Sequence, residues 1–531
     1  MSGVLGSLAR LGRAGWVLAR EGVLTAMAPP DPPTIGRLVL ALARSIERRD
    51  AEGTSRGARA SRALNRLGPS WVKLGQFLAT RPDVVGRAMA DDLEALQDRI
   101  PPFPDAEARA LVAKALGRPV ESFFEAFGPA VAAASIAQVH KGRVRLADGS
   151  ARDVAVKVLR PDVEARFRRD LDDFYRAARL IERFVPFTRR LRPVAVVDTL
   201  ARSVRLEMDL RLEAAALSEM AENIAKDPDF RVPTVDWLRT QRTVLTIEWI
   251  DGVKLSDPEK LAAAGHDPVR LARVAMQSFL RHAMRDGFFH ADMHQGNLFA
   301  AADGDLVAVD FGITGRLEPE ERRFLAEILW GFITRDYMRV ARVHFEAGYV
   351  PSNQDVVVFA QALRAVGEPL RDRPPSEISM AGLLGQLFEY TELFEMRTQP
   401  RLILLQKTMV VVEGVARALD PDLDIWKVSE PVVAEWVAAN LGPGAKLADV
   451  GAGAGALGRL ALALPRLADR LETVSLGLSR WAEGGLRLDP ETVEALAEAR
   501  DRRERPTRRF LVAVALLAAV AVYVSARHVG L

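Results

Sequence analysis

One stretch, FFHADMHQGNLFAAADGDLVAVDFGITG at 288–315, constrains the fold of this chain more than any other. Two short apolar runs in it, NLFA and LVAVDF, flank an Asp-Gly pair at 303–304, a pattern that predicts a tight β-hairpin. The hairpin would place Asp292 and Asn297 on the loop before its first strand and Asp310 at the end of its second. Because carboxylate and amide oxygens are good Mg²⁺ ligands, a compact polar site is predicted at this end of the hairpin.

The order and spacing of these polar residues match the catalytic apparatus of kinases. His290, Asp292 and Asn297 fit the pattern H-x-D-x-x-x-x-N, and Asp310 begins an Asp-Phe-Gly triplet. Phosphoryl transfer needs a carboxylate near the attacking oxygen, which predicts a catalytic Asp292, and Mg²⁺ ligands at the phosphates, which predicts metal-binding Asn297 and Asp310. The alternative is a group of polar residues that only stabilises the hairpin. Since all four residues rarely meet at these spacings by chance, the catalytic interpretation is favoured.

Upstream, KGRVRLADGSARDVAVKVLRP predicts two strands joined at an Asp-Gly turn. Val154, Val156 and Val158 fall on one face of the second strand because side chains alternate along β-structure. Lys157 falls on the other face, where it can bind nucleotide phosphates if a carboxylate holds it in place. A solvated strand lysine is the alternative, and the downstream motif favours the functional interpretation.

The segment VAAASIAQV at 131–139 stands where a glycine-rich loop would cover the phosphates of a nucleotide. Its predicted nucleotide-binding residues are Val131, Ala132, Ala133, Ala134, Ser135, Ile136, Ala137, Gln138 and Val139. Each alanine carries a Cβ atom that makes positive φ angles costly. We therefore expect a stiffer loop whose backbone is more constrained in its approach to the phosphates.

Further along, RVPTVDWLRTQRTVLTIEWIDGVKL predicts two more strands followed by a turn. Residues 248–252 would form the hinge between two lobes, where backbone groups meet an adenine ring, so Glu248 is counted among the nucleotide-binding residues. From about 267 to 440, a 3.6-residue apolar periodicity predicts a mainly helical lobe.

Three departures from an ordinary protein kinase bear on the substrate. Ala291 replaces the arginine that would receive a phosphate on the activation loop. After Gly312 the chain enters a predicted helix with no A-P-E motif, so neither loop phosphorylation nor a peptide-docking segment is expected. His294 completes H-x-D-x-H-x-x-N, a pattern of small-molecule kinases. It can shape the site or serve only as a structural hydrogen-bonding group.

Composition narrows the choice of function. A chain of 531 residues is too long for one compact core, which predicts two or more folding units. It has no cysteine, which excludes disulfides, thiol catalysis and cysteine-ligated zinc. Its formal net charge of +3 does not predict nucleic-acid binding, which requires a concentrated basic face.

The last apolar segment, FLVAVALLAAVAVYVSA at 510–526, contains 17 residues without a charge. At about 1.5 Å per residue a helix of this length spans roughly 25 Å, enough for a thin bilayer. The arginine-rich DRRERPTRR before it predicts a cytoplasmic body and a single C-terminal anchor in the inner (cytoplasmic) membrane. A buried core helix is the alternative.

The segments next to the two ends are less distinctive. Apolar residues before Pro29 predict one or two amphipathic helices, for which packing on the body is favoured over a membrane-surface role. LADVGAGAG resembles a methyltransferase turn, but too few residues follow it for a cofactor domain. It is interpreted as a flexible joint.

With these motifs in view, the chain resembles the UbiB family, also called the aarF-domain atypical kinases, over roughly residues 30–440. GPSWVKLGQFLATRPD resembles its K-x-G-Q segment, LEMDLRLEAA its E-x-D segment and AAASIAQVH its alanine-rich loop, while QKTM lies in its C-terminal part. Members are needed for ubiquinone biosynthesis. The resemblance implies ATP and Mg²⁺ as cofactors.

The resemblance also assigns residues that spacing alone does not. It implies that Glu213 pairs with Lys157 and shares a helix with Glu207, and a spacing of six then turns these two carboxylates toward different partners. Lys73 and Gln76 would lie on an added N-terminal helix where a protein substrate would otherwise dock. They would reach the nucleotide site through Glu207 and Asp209, as a regulatory set.

The fold expected is α+β, a protein-kinase-like bilobal fold with an added N-terminal helical extension and a C-terminal transmembrane helix. The predicted parts are N-terminal amphipathic helices at 1–60, the K-x-G-Q extension at 61–130, the N-lobe at 131–252, the helical C-lobe at 253–440, a joint with an amphipathic helix and basic linker at 441–509, and the anchor at 510–526.

The function expected is that of a membrane-tethered, Mg²⁺-ATP-dependent atypical kinase or ATPase that supports ubiquinone biosynthesis. Its expected partners are membrane lipids or prenylated quinone intermediates and enzymes of quinone biosynthesis. A lipid or small-molecule kinase and a nucleotide-switched scaffold without turnover remain alternatives. The sequence leaves a homodimer open.

Overall fold

The computed structural model describes most of the chain before residue 443. The described ranges are 2–26, 34–48, 56–79, 101–184, 192–370, 393–396 and 400–442, together with Tyr390 and single positions between 85 and 93. The chain divides into two units between Leu441 and Gly442, one residue from the predicted end of the C-lobe. The predicted joint beyond residue 442 and the predicted anchor lie outside the described residues. In the described ranges no helix is both long and apolar enough to cross a bilayer.

An antiparallel sheet forms the N-terminal lobe. The first five strands of the chain are β1 (Ala126–Ala133), β2 (Ala137–Arg145), β3 (Ala151–Leu159), β4 (Phe230–Arg231) and β5 (Val244–Glu248), and all but β4 form this sheet in the order β1-β2-β3-β5. The predicted turn joins β2 to β3, where Gly149 has a φ of +84° that glycine adopts without a Cβ clash. Val154, Val156 and Val158 are fully buried on one face of β3, as the alternation predicts.

The start of this lobe and the set of strands in its sheet differ from the prediction. β1 begins at Ala126, so the predicted start at 131 falls inside a strand. Of the two strands predicted near Glu248, only β5 joins the sheet. β4 pairs in parallel with a strand of the other lobe, and Phe230 is buried in an apolar cluster to which both lobes contribute.

Helices of the N-terminal extension precede the sheet: α1 (Ser2–Arg20), α2 (Val23–Ala26), α3 (Thr34–Ile46), α4 (Arg56–Leu67), α5 (Pro69–Ala79) and α6 (Asp105–Leu116). α1 packs on the body, as favoured from the sequence. Ser7 Oγ donates a 2.5 Å hydrogen bond to the carboxylate of Asp173, and Arg10 Nε donates one of 2.6 Å. Glu21 is fully buried and accepts hydrogen bonds from two arginines of α4, which ties α1 to that helix.

Three helices link the sheet strands β3 and β5: α7 (Val163–Phe184), α8 (Pro193–Glu207) and α9 (Leu210–Asn223). The prediction that Glu207 and Glu213 share one helix is wrong, since the first ends α8 and the second lies in α9. The cause is Asp209, whose backbone is extended (φ −120°, ψ 93°) and whose side chain accepts a hydrogen bond from the backbone N–H of Arg211. Aspartate is a favoured N-cap residue, so it begins a new helix here.

The C-terminal lobe combines two small sheets with helices. Its strands are β6 (Gly252–Lys254), β7 (Phe288–His290), β8 (Leu298–Ala301), β9 (Leu306–Ala308) and β10 (Thr314–Arg316), paired as β4-β9-β8-β6 and β10-β7. β8 and β9 are the predicted hairpin. Its helices are α10 (Pro258–Ala263), α11 (Pro268–Arg281), α12 (Pro319–Thr334), α13 (Tyr337–Glu346), α14 (Val356–Gly367), α15 (Pro400–Leu419) and α16 (Ile425–Leu441).

The core of this lobe lies directly beneath the polar loop of 290–297. Phe279, Phe288, Phe289 and Phe311 are each at most 2% exposed and belong to one apolar cluster. A π-helical turn, His282–Asp286, ends α11 and leads into β7. The loop that carries Asp292 is therefore held by packed aromatic side chains on the strands at either side of it.

Candidate phosphate and metal site

Lys157 is held between two carboxylates from different elements. Its Nζ lies 2.8 Å from Glu213 Oε1 and 2.9 Å from Asp310 Oδ1. β3 turns Lys157 away from its buried valines, and α9 presents the buried Glu213 from its first turn. The structure therefore brings together three residues that lie far apart in the sequence.

The charges of this group depend on one another. Burial opposes the charge of Lys157, but Asp310 and Glu213 more than offset it and raise the pKa of the ammonium above its usual value. Burial raises the pKa of Glu213 to about 7, against the opposing effect of Lys157. The ammonium of Lys157 holds the pKa of Asp310 well below its usual range. Lys157 is thus a fixed cation beside an ionised Asp310, which is the charge state that phosphate and metal binding require.

His290 fixes the backbone of the loop that follows it. It is 1% exposed, its Nδ1 accepts a 3.0 Å hydrogen bond from the backbone N–H of Asp292, and its Nε2 donates one of 3.1 Å to the carbonyl of Val309. Its ring lies 4.5 Å from that of Phe311, and burial lowers its pKa. A neutral His290 therefore connects the His-x-Asp loop to the Asp-Phe-Gly triplet.

Asn297 holds the other end of the loop. Its Nδ2 donates a 3.0 Å hydrogen bond to the backbone carbonyl of Asp292. The backbone carbonyl of Asn297 accepts a hydrogen bond of 2.9 Å from the N–H of Val309. With Nδ2 engaged in this way, the side-chain oxygen is the group of Asn297 suited to bind a metal.

Asp310 is the only carboxylate predicted as a metal ligand, and its backbone is unusual. Its φ is +63°, in the left-handed region that non-glycine residues rarely adopt, and its side chain is half exposed. Left-handed residues of this kind cost free energy and concentrate at functional sites.

The side-chain oxygens of Asp310 and Asn297 are of the type that Mg²⁺ accepts. Among the described residues, no three His, Asp or Glu side chains converge as a metal cage. Mg²⁺ does not need one, because it is commonly held by one or two protein oxygens, phosphates and water.

The alanine-rich segment 131–139 covers the end of β1, a turn and the start of β2. The turn closes through a 2.8 Å hydrogen bond from Ala134 N–H to the carbonyl of Ala137. None of the nine residues has a positive φ, so this turn uses no conformation that requires glycine.

Neighbouring groups fix the segment further. Arg160 Nε donates a 2.9 Å hydrogen bond to the carbonyl of Ala134, and Arg160 N–H donates one of 2.8 Å to that of Ile136. Gln138 is fully buried and exchanges hydrogen bonds with both backbone groups of Phe103. Its side chain therefore makes a structural contact, and a nucleotide contact of Gln138 stays a prediction. Arg160 was missed from the sequence, where it looks like any arginine that follows a strand.

Glu248 ends β5 at the predicted hinge, but its side chain is engaged elsewhere. Arg231 Nη1 donates a 2.9 Å hydrogen bond to it, and Thr234 donates two more. The backbone N–H of Glu248 donates to the carbonyl of Thr234. A contact with an adenine ring would thus use the carbonyl of Glu248.

The K-x-G-Q segment lies on α5, and its lysine contacts the E-x-D segment. Lys73 Nζ lies 2.6 Å from Glu207 Oε2, and both side chains are largely buried. Asp209 instead caps α9 and pairs with Arg211 at 2.6 Å. Gln76 lies on the same helix as Lys73. Of the predicted regulatory set, the structure therefore brings together Lys73 and Glu207.

A strand lysine paired with a helix glutamate, a His-x-Asp loop and an Asp-Phe-Gly triplet together define a kinase-like protein. Residues 95–344 match the ABC1 atypical kinase-like domain, and residues 363–424 match the UbiB helical domain. The chain is 40% identical over 441 residues to "Probable protein kinase UbiB" of Marinobacter nauticus, with 82% of this chain and 80% of that protein covered. The chain therefore belongs to the UbiB family, as the resemblance of its motifs predicts.

Two further relatives and one solved structure are also similar to this chain. Proteins of the same name from Aeromonas salmonicida and Xanthomonas euvesicatoria are each 39% identical, over 439 and 462 residues. The first match covers 82% of this chain and 80% of the relative, and the second covers 86% and 82%. The solved structure "The complex structure of Rv3197-erythromycin from Mycobacterium tuberculosis" is 22% identical with a TM-score of 0.45, covering 61% of this chain and 84% of that chain.

Proposed function

We propose that this chain binds Mg²⁺-ATP and transfers or hydrolyses its γ-phosphate at a membrane surface, in support of ubiquinone biosynthesis. The observation that carries the proposal is the contact of Lys157 with both Glu213 and Asp310. A fixed ammonium beside an ionised metal ligand is what binding of a metal-bound triphosphate requires. The names of the relatives support the kinase class, and the quinone pathway is what membership of the UbiB family implies.

In this mechanism each residue has a separate task. Lys157 would bind the α- and β-phosphates, while Asp310 and the side-chain oxygen of Asn297 would hold Mg²⁺, which neutralises charge on the phosphates when bound. Asp292 would accept the proton of the attacking hydroxyl, and its backbone is already held on both sides by His290 and Asn297.

A membrane location is part of the proposal and rests on the sequence. Residues 510–526 are uncharged and follow a cluster of arginines, which supports a single C-terminal anchor with the body on the cytoplasmic side. Membrane lipids or prenylated quinone intermediates are the proposed substrates, and enzymes of quinone biosynthesis the proposed partners.

Phosphate release by the full-length protein on liposomes tests the catalytic part. Asp310→Asn should lower the rate by about 100-fold or more, because it removes the charged metal ligand. Asp303→Asn changes an exposed aspartate of the same hairpin and should leave the rate unchanged. Equal rates in Asp310→Asn and wild type would overturn the mechanism.

A lipid or small-molecule kinase is the second candidate, and the segment after Asp310 favours it. β10 and α12 follow the Asp-Phe-Gly triplet at once, and the N-terminus of α12 is closed by a capping box between Glu318 and Glu321. A long peptide-docking segment is therefore absent from this fully described stretch. A labelled lipid extract that gains a phosphorylated product with wild type, but not with Asp292→Ala, would favour transfer over hydrolysis.

A further inference from the structure

We infer that His294 positions the carboxylate of Asp292 for proton abstraction, an inference that rests on the proposed function. The backbone of Asp292 is fixed at its N–H and its carbonyl. In the described part of the chain, however, no hydrogen bond reaches its carboxylate, whose side chain is 42% exposed. A catalytic base must be oriented as well as placed, so a further group has to restrict this carboxylate.

His294 is aimed at that carboxylate in a defined tautomer. The backbone N–H of Gly296 donates a 3.0 Å hydrogen bond to His294 Nδ1, so in the neutral ring the proton lies on Nε2. Nε2 faces Asp292 Oδ2 at 3.8 Å. Catalytic hydrogen bonds are often long before substrate binds, and an approach of about 1 Å would make this one normal.

Gly296 is the residue that makes room for the ring. A Cβ atom at position 296 would lie 2.8 Å from His294 Cε1 and 3.0 Å from Nδ1, closer than side-chain atoms pack. The backbone of Gly296 lies outside the left-handed region, so alanine there would not strain the chain. An alanine here would therefore displace the half-exposed imidazole of His294 from this place.

The orientation has a chemical consequence. With Nε2–H bound to Oδ2 of Asp292, the other oxygen is free to take the proton of the attacking hydroxyl. In hydrolysis the water oxygen forms a bond to the γ-phosphorus while Asp292 takes the proton of the water. The bond between the γ-phosphorus and the β,γ-bridging oxygen breaks, and ADP leaves with that electron pair. His294 would thus raise kcat and leave nucleotide affinity unchanged.

A double-mutant cycle on the full-length protein tests the inference. His294→Ala and Gly296→Ala should each lower kcat by about 10-fold with little change in nucleotide Kd, and His294→Gln, which keeps an N–H donor, should recover part of the rate. Because Gly296 acts through His294, the double variant should be no slower than His294→Ala alone. Gly414→Ala is the matched control, since a Cβ there contacts nothing within 4 Å and the rate should not change.

A second measurement does not depend on turnover. Nitrogen-15 spectra of labelled histidines, assigned with His294→Asn, should show the proton of His294 on Nε2 in wild type, and this preference should be lost in Gly296→Ala. If wild type released no phosphate, the proposed function would fail while these spectra still decided the placement of His294. Losses that add in the double variant, or a proton on Nδ1 in wild type, would overturn the inference.

Discussion

Asp227 is a buried charge whose contribution to stability should depend on pH. Its side chain is 4% exposed, and Arg285 Nη1 donates a 2.5 Å hydrogen bond to it while His282 Nε2 lies 3.3 Å away. Burial would raise the pKa of Asp227, but these two partners more than offset it and lower that pKa below its usual value. These contacts connect the segment after α9 with the π-helical turn that leads into the catalytic loop, and Arg285 also donates a 2.9 Å hydrogen bond to the carbonyl of Asn223 at the end of α9.

Asp227→Asn should lower the free energy of unfolding at pH 7 by about 2 kcal/mol, a figure kept low because Arg285 is 39% exposed. A carboxyl with a depressed folded pKa stabilises fully above its unfolded value of about 4 and loses that effect as pH falls. Urea unfolding should therefore show the same loss at pH 7 and pH 5 and a smaller one at pH 3.5. A loss that stays constant down to pH 3.5 would argue against an ionised Asp227, and Asp172→Asn on the exposed face of α7 is the control.

Single residues were predictable where the chemistry is local. Asp292, Asn297 and Asp310 flank the two strands of one hairpin, so their spacing alone predicts that they lie close together. The alternation of side chains along the strand predicted the face on which Lys157 lies. Its pairing with Glu213 was predicted only from the family resemblance. The contact of Asp227 with Arg285 was not predictable from the sequence, because nothing in either segment specifies that the chain after α9 packs against the turn after α11.

The break between α8 and α9 should depend on the side chain of Asp209. Asp209→Ala removes the acceptor for Arg211 N–H and should lower the free energy of unfolding by about 1 kcal/mol. Asp209→Ser keeps an N-cap oxygen and should recover most of that loss in urea titrations. If serine were as destabilising as alanine, the loss would come from the ion pair with Arg211 instead of the cap.

Elements were predicted best where turns mark their ends. The Asp-Gly pairs predicted the two hairpins, β2–β3 and β8–β9. The alternation of apolar residues predicted which face of β3 is buried. The resemblance implied one helix for Glu207 and Glu213, and it did not show the cap at Asp209, which depends on a backbone conformation. The pairing of β4 with β9 was not predicted, because a two-residue strand carries too little pattern to choose its partner.

For the molecule as a whole, membrane attachment should depend on residues 510–526. Leu516→Arg places a charge in the middle of this segment and should cost about 3 kcal/mol of insertion free energy, roughly a 100-fold shift out of the membrane. Leu516→Phe keeps the segment apolar and is the matched control. Full-length protein and the phenylalanine variant should stay in membranes washed with alkaline carbonate, while the arginine variant and a chain ending at Arg509 should be released.

The same experiment separates insertion from electrostatic binding. Arginines such as Arg508 and Arg509 attract anionic lipids by themselves, by about 1 kcal/mol each, and such binding weakens as salt rises. A chain ending at Arg509 should therefore sediment with membranes at low salt and leave them at high salt, with nucleotide affinity unchanged because Lys157 and Asp310 lie in the unit that ends at Leu441. Carbonate-resistant attachment of this shortened chain would show that another segment holds the protein in the bilayer.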